Sequence, residues 1–125
     1  MDGAPPPGQE RWPAYNLTAD MARSYVAWAG KRLPTEAEWE YLSRGGATTA
    51  FAAGPLTGRV CNADPVLLAL GWYCGSDFTP DGPGTRPVGQ LDANGFGLHD
   101  MHGNVWEWCW DWYGDYEQLD LDGDG

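Results

Sequence analysis

Positive charge is what this sequence has least of. Seven lysines and arginines stand against eighteen aspartates and glutamates, a formal net charge of −11. With no basic run to meet a phosphate backbone or an anionic bilayer, nucleic acid and membrane are both set aside as partners. Long apolar runs are missing as well. None approaches the roughly 18 residues of a membrane helix, and no secretory signal is legible near Met1. Cysteine is sparse and odd in number, at Cys61, Cys74 and Cys109. A disulfide with one free thiol and three reduced thiols both remain open, and the redox compartment with them. A Cys61–Cys74 bridge would staple the middle of the chain by about 3 kcal/mol.

Glycine, proline and tryptophan are what the sequence has in quantity. Eighteen glycines, ten prolines and eight tryptophans in 125 residues describe one loop-rich domain pinned by large side chains. Residues 1–10 read as a disordered proline-rich tail, 11–116 as the domain, and 117–125 as an acidic linker. The stop at Asp-Gly-Asp-Gly, directly after the most ordered-looking stretch, gives the expectation of a fragment.

Two helices are legible. Thr18 is an acceptable N-cap, Asp20 sits in the first turn, and Met21, Tyr25, Trp28 and Ala29 make one apolar stripe ending at Gly30. Thr35-Glu36-Ala37-Glu38 has the form of a capping box. It opens a second helix to about Arg44, which is expected to bury Ala37, Leu42 and either Trp39 or Tyr41. Residues 47–87 are mostly irregular, with a turn at Asn62 to Pro65, an untyped apolar patch at Val66 to Trp72 and a long loop over 75–85.

The chain is organised around residues 97–114, GLHDMHGNVWEWCWDWYG. Trp106, Trp108, Trp110 and Trp112 alternate with Glu107, Cys109 and Asp111. A period of two is the strand period, so the four indoles are expected to leave one face of a strand and pack inward. The turn ahead of the strand carries Asp100, with Glu107 two residues into the strand. Spacing alone reads these two carboxylates as caps of the turn, while carboxylates meeting turn carbonyls are also what calcium selects. His99 and His102 lack the partners of a closed zinc site and read as turn-surface residues.

Three segments in order, KRLPTEAEWEYLSRGG (31–46), TRPVG (85–89) and NGFGLHDMHGNVWEWCWDWYG (94–114), resemble the formylglycine-generating, sulfatase-modifying-factor family. The resemblance implies an α+β domain with a variant of the C-type lectin fold, two helices on small antiparallel sheets with much irregular chain. The reaction it implies is oxidation by oxygen of a sulfatase cysteine to Cα-formylglycine, with a sulfatase or other protein as partner. In the family two cysteines that bind copper do this, after an Arg-Gly-Gly-Ser stretch absent here. Cys61, Cys74 and Cys109 match neither, so this chain is expected to be inactive alone, and copper belongs to it only if further sequence carries that pair. The alternative on the same scaffold is a non-catalytic ligand- or protein-binding module. The resemblance also implies a structural calcium held by Asp100, the carbonyls of Gly103 and Val105, and Glu107. A second site would use Asn62 and Asp81.

Overall fold

The computed structural model describes residues 7–58, 61–76, 84–112 and 114, and the account below concerns these. The proposed 117–125 linker and residues 1–6 of the proposed tail lie outside them. Of that tail, residues 7–10 form turns, with the Trp12 amide bonded to the Gln9 carbonyl at 3.0 Å.

Helix α1 spans Ala19–Trp28 and helix α2 spans Glu36–Arg44. Their starts follow from capping chemistry, which satisfies amides that have no helical partner. Thr18 Oγ accepts from the Met21 amide at 3.2 Å. Thr35 and Glu38 form the reciprocal capping box, and Arg32 closes on Glu38 through two 2.6 Å hydrogen bonds. Gly45 ends α2 in the left-handed region at φ 58°. Asn94, far along the chain, donates its side-chain amide to the Leu42 and Ser43 carbonyls at that end.

The untyped apolar patch resolves into helix α3, Pro65–Leu70, running directly into strand β1, Gly71–Trp72. Its N-cap is Asp64, just 1% exposed. One carboxylate oxygen accepts from the Val66 and Leu67 amides, and the other from the Thr57 amide and hydroxyl. These donors favour the charged form and hold the Asp64 pKa below the ordinary aspartate value, the Thr57 hydroxyl bond counting most. Cys61 and Cys74 are joined by a disulfide across this region, with Cα atoms 5.0 Å apart.

Strand β1 pairs with β2, His102–Gly103, in register Gly71↔His102 and Trp72↔Gly103. The architecture is α+β, but this ladder is parallel, where antiparallel sheets were expected. Asp100, Gly103 and Asn104 around β2 all stand in left-handed conformations. Gly103 is needed twice over. Its φ is 85°, and a Cβ there would collide with the Trp72 carbonyl.

The buried apolar residues are Leu33, Leu67 and Leu70. The α1 stripe does not pack inward: Met21, Tyr25 and Trp28 are exposed, Trp28 by 82%. On α2, Trp39 turns partly inward while Ala37 and Tyr41 stay exposed, so of the expected burials Trp39 and Leu42 are the half-buried ones.

Candidate functional site

The site is the strip from Asp100 to Trp112 and the cavity beside it. The expected tryptophan strand is absent. Residues 106–109 lie in no helix or strand, and the four tryptophans do not form a buried face. Trp106 and Trp112 are almost wholly exposed, at 102% and 90%, and Trp108 and Trp110 about half. Glu107 and Asp111 are exposed as well, and hydrogen bonds tie them to α2. Asp111 accepts from the Glu36 amide at 2.9 and 3.2 Å, and Glu107 accepts from the Trp39 indole at 2.8 Å. The Trp110 amide reaches the Pro34 carbonyl at 2.8 Å, and the Trp108 indole donates to the Leu17 carbonyl at 2.9 Å.

A cavity of about 980 Å³ lies between this strip, α2 and β1. Asp100, Gly103, Val105 and Glu107, the four residues expected to hold a cation, all line it. The lining residues also include Glu36 and Asp111, and no lysine or arginine. Asp100 stands at φ 58° with one carboxylate oxygen on the Gly89 amide at 2.6 Å. Its other oxygen is buried without a hydrogen-bond partner. A buried acceptor left unsatisfied costs about 1–3 kcal/mol, and an unpaired carboxylate oxygen fits the chemistry of a hard cation. Among the described residues no three Cys, His, Asp or Glu side chains gather as a metal cluster. For the second site, Asn62 is exposed and its carbonyl accepts from the Tyr73 hydroxyl at 2.9 Å, while Asp81 lies outside the described residues.

The cysteines do not suit copper. Cys61 and Cys74 are bonded to each other. Cys109 is alone, and its thiol pKa is pushed up by burial first and then by Asp111, Glu36 and Glu107. A thiol held protonated, without a second thiolate, makes a poor soft-metal ligand. His102 departs from the turn-surface reading: it lies in β2, half-buried, edge-on to Phe51 at 5.2 Å, and burial lowers its pKa. His99 is exposed and its Nδ1 lies 2.8 Å from the Leu91 carbonyl. The bonding roles of Trp39, Asn94 and Asp111 were not assigned from sequence, because their partners lie 51 to 75 residues away. Asp64 was read as part of a turn, although an Asp directly before Pro65 is a local N-cap signal.

A family model described as the sulfatase-modifying factor enzyme 1-like domain matches residues 2–123. The chain belongs to this family. This sulfatase-modifying-factor domain is 46% identical over 100 residues to the formylglycine-generating enzyme of Mycobacterium tuberculosis, covering 77% of this chain and 32% of that protein. It is 43% identical over 107 residues to the enzyme of that name from Thermomonospora curvata, covering 81% and 34%. Among solved structures, PvdO from Pseudomonas aeruginosa superimposes with a TM-score of 0.65 and 34% identity, covering 87% of this chain and 42% of that one. The chain thus spans about a third of the length of these relatives. No helix among the described residues is long and apolar enough to cross a membrane.

Proposed function

We propose that this chain is the calcium-stabilised part of a formylglycine-generating-type domain, of C-type lectin-like architecture, and that it does not itself carry the oxidising centre. The observation that carries the reading is the buried, unpartnered oxygen of Asp100, in the cavity that Gly103, Val105 and Glu107 also line. Asp100 and Glu107 would supply charge, and the Gly103 and Val105 carbonyls would complete an oxygen set suited to calcium. Bound there, calcium would supply fixed positive charge that ties the turn to the start of the strip. The Gly89 amide and the Trp39 indole orient the two carboxylates for this.

Melting in calcium and in chelator tests it. Binding to the folded form alone at a hundredfold excess over Kd stabilises by about 2.7 kcal/mol, so calcium should raise Tm clearly. Asp100→Ala and Glu107→Ala should each abolish the shift. An equal shift in both variants would sink the assignment.

The whole protein's reaction, oxidation of a sulfatase cysteine to formylglycine, is carried to this chain by family membership. Copper with two thiolates is what that reaction would need, and the cysteines here do not offer the pair. No turnover of a cysteine-containing sulfatase peptide is therefore expected from this chain, with or without added copper, as read by mass spectrometry. Formylglycine product would overturn that half of the proposal.

A further inference from the structure

A disulfide borders the candidate cation site. Cys74, one half of the Cys61–Cys74 bridge, lines the same cavity of about 980 Å³ as Asp100, Gly103, Val105 and Glu107. The bridge joins residues 13 apart, and the loop it closes contains Asp64, α3 and β1. Two residues before Cys74 stands Trp72, which holds the turn that carries the proposed cation donors. Its carbonyl accepts from the Asn104 amide at 2.8 Å, and it pairs with Gly103 in the ladder. Tyr73, between Trp72 and Cys74, ties the same loop without a covalent bond. Its hydroxyl donates to the Asn62 carbonyl at 2.9 Å and accepts from the Asp64 amide at 2.8 Å. One covalent bond and one hydroxyl thus close the loop on which the position of Gly103 depends. Both bridged cysteines are exposed, so an attacking thiolate reaches them without the chain unfolding.

We propose that the Cys61–Cys74 bridge is a redox control on the cation site, the oxidised chain binding calcium more tightly than the reduced one. The inference rests on the reading of Asp100, Gly103, Val105 and Glu107 as a calcium site. In the switching step a dithiol gives up two electrons and two protons and becomes a disulfide. The S–S bond between Cys61 and Cys74 breaks, and the two sulfurs take up those electrons and protons as thiols. No donor of the cation site is consumed. What changes is the freedom of Trp72, and with it the placing of the Gly103 carbonyl that calcium would use. In the reduced chain the cation must itself order a loop that the bridge had closed, so affinity falls by that cost. Linkage makes the effect reciprocal, and calcium makes the bridge harder to reduce by the same factor.

The test uses the 125-residue chain carrying Cys109→Ser, because Cys109 lines the same cavity and its thiol could exchange with the bridge. Calcium Kd is measured by calorimetry on the oxidised chain and on the chain reduced with dithiothreitol. Reduction should weaken binding about tenfold, with the circular dichroism unchanged. In calcium that saturates both forms, the ratio of reduced to oxidised dithiothreitol that half-reduces the bridge should rise by the same factor. Should the reduced chain lose its circular dichroism, Tyr73→Phe decides with the bridge intact. It removes the hydroxyl tie on the loop and should weaken calcium about fivefold, the worth of one hydrogen bond. Equal Kd in the two redox states, a half-reduction ratio that calcium does not move, or an unaltered Kd in Tyr73→Phe overturns the inference. Each of these leaves the calcium reading standing. An oxidised chain that binds no calcium overturns both, so the two failures are told apart.

Discussion

At Gly103, two demands meet in one residue. The backbone is left-handed, and the Trp72 carbonyl occupies the space a side chain would need. Gly103→Ala should cost at least ~2 kcal/mol, since left-handed strain alone runs to about 1–3 kcal/mol for a residue with a Cβ. Because the same turn carries Asp100 and the Gly103 carbonyl, the variant should also lose its calcium response, read as Tm with and without chelator. Asp64 is the other residue on which local order depends. Four donors stabilise its carboxylate, so its folded pKa lies below the unfolded one. The sign follows from that: its contribution is present above the unfolded value near 3.9 and is lost as pH falls through the folded one. Asp64→Asn should flatten this acid limb in urea titrations run between pH 5 and 2. It should also destabilise at neutral pH, because the amide nitrogen would face donors.

The elements show which signals in the sequence were legible. Both long helices could be placed from Thr18, Gly30, the Thr35–Glu38 box and Gly45, because capping is chemistry between residues three or four apart. Helix α3 was not, since six residues give too few turns for periodicity to register. The order of residues along the tryptophan strip was legible, but not that its tryptophans would stay exposed. Nor were the bonds of its carboxylates to the Glu36 amide and the Trp39 indole, 75 and 68 residues away. The four residues proposed for the cation were named through family resemblance, whereas the groups bonded to Asp100 and Glu107 have no sequence signal. The α2 cap gives its own test. Thr35→Ala should cost about 1 kcal/mol in chemical denaturation. Arg32 holds Glu38 at a pKa of about 2, ahead of the Thr35 amide, against an ordinary 4.5. The pair's support is therefore full above about pH 4.5 and fades as pH drops toward 2. Being exposed, it should also weaken with added salt.

Across the whole molecule, few apolar side chains hold the fold. Among the described residues the buried apolar side chains are Leu33, Leu67 and Leu70, so the Cys61–Cys74 bridge carries weight that a larger core would share. Closing a loop of this length is worth about 3 kcal/mol, and reduction should therefore lower the urea midpoint steeply. Reduction of the disulfide acts mainly on the unfolded chain, so it should shift the midpoint far more than the slope. A slope that changes as much as the midpoint would mean that the bridge also holds the folded state together.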